Sequence, residues 1–135
     1  MFIIASGCDR SDRKLIIENK SSEAVIAEYS FDRTFDSSIN EYVVDLGPSR
    51  HGRGNNHLFK IEPNTSLPLY GAFNTTWEDI IERSYSKKLN LFVFQWDSLV
   101  KYRDLHRLYK ARGCYKKFEF TKEQLEGMGW KVTIR

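Results

Sequence analysis

The sequence predicts a mainly β or α+β domain, β-sandwich-like, with short helices inserted between its later strands. Three features point there. Leu89 to Trp96 (LNLFVFQW) is apolar on both alternating faces, with Leu89, Leu91 and Val93 on one and Phe92, Phe94 and Trp96 on the other. Such a strand is central and covered on both sides. Trp130 to Arg135 alternates cleanly, with Trp130, Val132 and Ile134 inward and Lys131, Thr133 and Arg135 outward, the period-2 mark of a half-buried strand. Two capping-box patterns, Thr75-x-x-Glu78 and Thr121-x-x-Gln124, open short helices in the C-terminal half.

The remaining elements follow in order. Lys14 to Asn19 (KLIIEN) and Ala24 to Ser30 (AVIAEYS) are β-branched apolar runs four residues apart, which predicts a hairpin closed by Lys20-Ser21-Ser22. Phe31 to Ser38 is a polar loop, and Tyr42 to Leu46 is a weaker strand candidate. Gly47 to Asn56 holds three glycines, a proline and two asparagines in ten residues, the clearest loop of the chain. Leu58 to Glu62 alternates as a strand. Pro63-Asn64 makes a turn, and Ser66 to Tyr70 continues extended, with Pro68 marking a sheet edge. The first capping box predicts a helix over about Thr76 to Tyr85, with Trp77, Ile80, Ile81 and Ser84 at helical spacing. Asp97 or Ser98 caps one helical stretch running to about Arg112, with a buried stripe of Leu105, Leu108 and Tyr109 and a stop at Gly113. Cys114 to Phe120 alternates, and the second capping box opens a helix of one to two turns that ends at Gly127 or Gly129.

Composition narrows the class. The chain has 135 residues, enough for one domain with a real core. With 41% hydrophobic and 29% charged residues it is globular rather than disordered, and 14% aromatics favour a packed interior. A net charge of +3 demands no nucleic-acid partner. No apolar run reaches the roughly 20 residues of a membrane helix. Two cysteines exclude a disulfide-dense scaffold and a four-cysteine zinc site.

The N-terminus reads Met1-Phe2-Ile3-Ile4-Ala5-Ser6-Gly7-Cys8, followed by the polar stretch Asp9 to Lys14. Ile4 to Cys8 resembles the tail of a bacterial lipoprotein signal, with Ala5 where such signals prefer Leu. The thiol is the group that takes the lipid, and each buried methylene of the acyl chains contributes about 0.8 kcal/mol to anchoring. The resemblance implies lipid attachment at Cys8 and leaves Cys114 as a lone thiol. The apolar run is short for such a signal and no Lys or Arg precedes it, so the true start is expected upstream of Met1. Without lipid, a Cys8–Cys114 disulfide is open in an oxidising compartment. The expected division is residues 1–13 as signal remnant and tether and 14–135 as one globular domain. From Lys14 onward, the Asn19-Lys20-Ser21 turn, the Pro63-Asn64 turn, the helix with Trp77, the strand Leu91 to Asp97 and the ending Phe118 to Ile134 with Leu125 and Trp130 together resemble small uncharacterised lipoproteins of Bacteroidetes. That resemblance implies a β-rich domain tethered to an envelope membrane, and no activity.

Several groups are candidate sites. His51 and His57 share the glycine-rich loop, and His106 sits beside Arg107. Their spacing matches no closed zinc motif, so no metal or cofactor is expected. Arg50 and Arg53, with several glycine amides, form a candidate anion cradle. Charge is uneven: residues 1–75 hold eight basic and ten acidic side chains, residues 76–135 thirteen and eight. Helical spacing puts Arg103, His106, Arg107 and Lys110 on one side, opposite Leu105, Leu108 and Tyr109. Such a strip suits anionic lipid, a glycan or an acidic protein. Cys114 lies between Arg112 and Lys116, which lower a thiol pKa when near in space; a small buried hydrophobe is the alternative. No Gly-x-Ser-x-Gly elbow is present, and the carboxylate pairs Glu78-Asp79 and Asp32/Asp36 sit in cap or loop contexts.

The reading reached from sequence is a non-enzymatic binding or structural domain. It is anchored to a bacterial envelope membrane (outer membrane or periplasmic side) through Cys8, with Arg50, Arg53, Arg103, Arg107 and Lys110 as contact candidates and no nucleic acid expected. The alternative is a cytoplasmic nucleic-acid-binding or regulatory protein using the 101–117 strip. A small hydrolase using the histidine loop comes third.

Overall fold

Alternation along the strands divides their side chains between two hydrophobic cores. In a computed structural model, residues 12–31, 33–34, 60–69 and 75–135 are described. The strands are β1 (Ile16–Asn19), β2 (Val25–Ser30), β3 (Thr65–Pro68), β4 (Leu89–Gln95), β5 (Lys116–Phe120) and β6 (Lys131–Ile134). The helices are α1 (Trp77–Arg83), α2 (Trp96–Tyr102), α3 (Leu105–Arg112) and α4 (Lys122–Gly127), with a 3-10 turn at Tyr85–Lys87. Two three-stranded sheets result, β3-β1-β6 and β2-β4-β5. This is a small α+β domain with short helices between its later strands.

The two sheets share the first core. Leu15, Ile17, Val132 and Ile134 meet Val25, Ala27, Leu89, Leu91 and Val93 there, closed by Trp77, Ile80 and Ile81 of α1 and Leu125 of α4. The other face of β2-β4-β5 carries Ile26, Phe92 and Phe94, which pack with Trp96, Leu99, Leu105 and Leu108 of α2 and α3. The layers therefore run sheet, sheet, helix pair. β4 is the middle strand, buried on both faces as its sequence predicts.

The hairpin expected of β1 and β2 is not formed. β1 pairs antiparallel with β3 and parallel with β6, whereas β2 pairs with β4. The cause is Asn19, which is fully buried. Its Oδ1 accepts from the Ser21 backbone N–H at 2.9 Å and its Nδ2 donates to the carbonyls of Glu23 and Ile61 at 2.8 and 2.9 Å. This side-chain turn sends the chain across to the second sheet instead of back along β1. Of the strand expected over Leu58 to Glu62, the described part forms a single bridge, Ile61 to Val25. Asn64 turns with φ 61°, and β3 occupies an edge, where Pro68 is tolerated.

Two helix expectations are corrected. Thr76, not Thr75, caps α1, accepting from Asp79 N–H at 3.1 Å. The single helix expected up to Arg112 is two. Arg103 takes the left-handed conformation (φ 64°), and Asp104 starts α3 by accepting from the N–H groups of His106 and Arg107 at 2.7 and 3.2 Å. Neither Asp97 nor Ser98 caps α2, whose N-cap position is Gln95. The Thr121 capping box forms as predicted and holds α4.

Candidate functional site

The break at Arg103 folds α3 back beside α2, and the chain then enters β5. Between these three segments lies a cleft of about 340 Å³. Gln95, Ser98, Lys101 and Tyr102 reach it from α2 and its N-cap, at the three- and four-residue steps that share a helix face. Leu108 and Arg112, one turn apart on α3, face it from the other side. Gly113 has φ 71° and ψ −160°, a backbone region essentially confined to glycine. It turns the chain out of α3 so that Cys114 and Tyr115 complete the lining. Tyr115 is held by its N–H donating to Val93 O at 2.8 Å.

Apolar surface and positive charge meet in this cleft. Phe94 and Leu108 are 1% and 2% exposed, and Tyr115 is 42% exposed. Arg112 Nε donates to the Tyr102 hydroxyl at 3.2 Å. Among the described residues, no carboxylate pairs with Lys101 or Arg112. Cys114 is a free, half-buried thiol. Burial pushes its pKa up, against smaller lowering by a backbone hydrogen bond and by the Lys117 charge. The activation by Arg112 and Lys116 that its sequence neighbours suggest is thus overruled by desolvation, and the thiol stays protonated at neutral pH.

The basic strip is only partly assembled. Arg107 and Lys110 project from α3 into solvent, while Arg103 is exposed at the break and belongs to neither helix. His106 is half-buried rather than on the open face, with Nδ1 shielded and unpaired among the described residues. Cys8, Arg50, Arg53, His51 and His57, the loop Gly47 to Asn56, the strand candidate Tyr42 to Leu46 and Asp32/Asp36 lie outside the described residues. No cluster of three or more His, Cys, Asp or Glu side chains converges among the described residues.

A buried acid, Glu28, is not among the residues the sequence singles out. Glu28 of β2 is 4% exposed and sits opposite Phe92, on the sheet face that α2 and α3 cover. Desolvation raises its pKa to about 8, so it is a neutral acid at pH 7. The Phe92 ring beside it makes an edge contact with Tyr109 (5.7 Å, 89°) and lies 5.4 Å from Lys117 Nζ. The signal in sequence was a Glu at the centre of an apolar run, AVIAEYS, where a strand buried on both faces leaves no solvent side.

At the other end of the fold, Asp12 and Lys14 fasten the first described residues to α1. Lys14 Nζ reaches Asp12 Oδ2 at 3.1 Å and Glu78 Oε2 at 2.7 Å, and lies 4.7 Å from the Trp130 ring. The hydrogen-bonded body thus includes Asp12, two residues ahead of the expected boundary. No described helix is long and apolar enough to cross a membrane. Comparison with known proteins finds no matching family model, curated protein or solved structure.

Proposed function

We propose that the protein is a non-enzymatic binding domain of a bacterial envelope, held to the membrane by lipid on Cys8. The observation behind this reading is the position of Cys8. It follows the small residues Ala5-Ser6-Gly7 and stands four residues ahead of Asp12, which is already hydrogen-bonded to α1. Four residues span at most about 14 Å, so acyl chains on Cys8 would keep the domain against the bilayer surface. The α2–α3 cleft supports a binding role. It lies on the opposite face of β2-β4-β5 from the core that contains Trp77 of α1. A domain tethered beside α1 therefore keeps the cleft open to ligand.

The test is Cys8→Ser in the full chain. The protein is expected to leave the membrane fraction and stay folded, with a stability change under about 0.5 kcal/mol. The wild-type membrane fraction is expected to carry the added mass of acyl chains. Unchanged membrane association of the Ser variant would sink the reading.

A further inference from the structure

We propose that the cleft between α2, α3 and the start of β5 binds a small aryl anion, a flat apolar body bearing one carboxylate or comparable negative group. This rests on the binding role proposed above for its biological setting, and on the cleft itself for its chemistry. At about 340 Å³ the space falls at the small end of ligand sites, which run from about 300 to 1,000 Å³. One or two fused rings match that volume.

The polar groups decide the sign of the ligand. Arg112 and Lys101 both reach the cleft, and neither is neutralised by a carboxylate among the described residues. The Tyr102 hydroxyl takes one donor of Arg112, Nε, which steadies the guanidinium and leaves its terminal amino groups for a ligand. Lys116, whose Nζ lies over the Tyr115 ring at 5.6 Å, adds positive charge next to this lining residue and disfavours a cation. The apolar groups decide the ligand's body. Phe94 and Leu108, both nearly fully buried, close the base of the cleft with core side chains, and the Tyr115 ring, 42% exposed, supplies an aromatic wall. Cys114 lines the same space as a protonated thiol, which adds apolar surface without competing charge.

Cys114 also supplies the readout. In the Cys8→Ser chain it is the sole thiol, since the sequence holds two cysteines. The rate of its alkylation by N-ethylmaleimide is measured with 2-naphthoate, with the neutral 2-naphthylmethanol and with acetate. Naphthoate is expected to slow alkylation in a saturable manner, and the alcohol and acetate to bind about tenfold more weakly or worse, because a charge-assisted hydrogen bond is lost in one and the apolar contact in the other. Arg112→Gln and Lys101→Gln are each expected to erase most of the preference for naphthoate over the alcohol, and Arg112→Lys to retain part of it. Amide resonances of 95–115 should shift with naphthoate and titrate with the protection. Absence of protection up to about 10 mM, a range weaker than any useful site, would overturn the proposal. So would equal protection by the alcohol, or resonance shifts confined to another region. Because the chain used is not anchored, failure here leaves the membrane partition result standing, and failure of anchoring leaves this result standing.

Discussion

Asp12 holds Trp77 at two points: its Oδ2 accepts the Trp77 backbone N–H at 3.0 Å, and its carbonyl accepts the indole Nε1–H at 3.1 Å. The first contact satisfies a free N–H at the start of α1, as Thr76 does two residues on. Burial alone would raise the Asp12 pKa, but hydrogen bonds from Trp77 and Lys14 and the Lys14 charge outweigh it, and the carboxyl sits below its ordinary value. The folded state therefore binds this proton less readily than the unfolded chain. The resulting stability is present above the ordinary value of 3.8 and is lost as pH falls through the lower folded value. Asp12→Ala is expected to cost about 1–2 kcal/mol at pH 7, read by urea denaturation, and clearly less near pH 2. An equal loss at both pH values would mean that the charge contributes nothing.

Glu28 gives the opposite pH dependence. Its folded pKa is about 8 against an ordinary 4.5, through desolvation. Between those values the folded protein holds a proton that the unfolded chain has lost, so stability falls as pH rises from about 5 through about 8. Glu28→Gln keeps the shape and cannot ionise. It is expected to flatten this decline and to exceed the wild type at pH 9 by an amount on the order of a few kcal/mol. Parallel stability–pH curves for the two proteins would show that Glu28 is not the titrating group.

The helix break is tested at Asp104, whose Oδ1 caps α3 through His106 and Arg107. Asp104→Ala is expected to cost about 1 kcal/mol, the usual loss for a capping side chain. Asp104→Ser should recover most of it. Since the break sets the cleft, Cys114 is expected to alkylate faster in the Ala variant. A variant of unchanged stability would show that the left-handed Arg103 suffices to separate the helices.

Much of the fold is legible in local pattern, and the places where it is not share a cause. The double-faced alternation of Leu89 to Trp96 identifies the central strand because both its faces are spoken for by neighbouring layers. The Thr121–Gln124 box is legible because both partners sit within four residues. Pairing partners are different. Glu18 of β1 lies beside Thr133 of β6, whose hydroxyl donates to it at 3.1 Å across 115 positions of sequence, and no short-range signal encodes that neighbour. The four-residue spacing of β1 and β2 suits a hairpin, but spacing carries no information on the contacts of the Asn19 side chain with Ser21, Glu23 and Ile61, which accompany the crossing to the other sheet. The break at Arg103 was hidden because arginine is a good helix former. Asp104 ahead of Leu105 was the available cue, and its carboxylate reads as a cap only once the break is allowed. The cleft follows from the break: Lys101 and Arg112 were visible as charges, but one continuous helix keeps them three turns apart.

The basic strip separates the anchored reading from the nucleic-acid alternative. Arg107 and Lys110 are exposed on α3, Arg103 is exposed at the break, and none pairs with a carboxylate among the described residues. Exposed cations with no fixed partner add little to stability. Changing all three to Gln is therefore expected to leave the fold intact, since Gln is nearly as good a helix former as Arg or Lys and the buried Leu105 and Leu108 are untouched. The αL conformation of Arg103 is no harder for Gln to adopt, because both carry an unbranched side chain. If the strip serves a polyanion, the triple variant binds it markedly less. The wild-type affinity then falls by about 0.9 log units per log unit of salt for each duplex phosphate contacted. The expected outcome is weak association of the unlipidated Cys8→Ser chain with anionic vesicles at low ionic strength. It should vanish near 0.15 M salt, where screening acts over about 8 Å. The exposed cations over 101–117, Lys101, Arg103, Arg107, Lys110, Arg112 and Lys117, are divided among two helices, the break between them and β5 rather than set along one helix face. Lys101 and Arg112 line a site sized for a small molecule, which ranks the cleft ahead of a duplex track. Tight, salt-steep binding of DNA or RNA that the triple variant loses would reverse that ranking and make the strip, rather than the cleft, the functional surface.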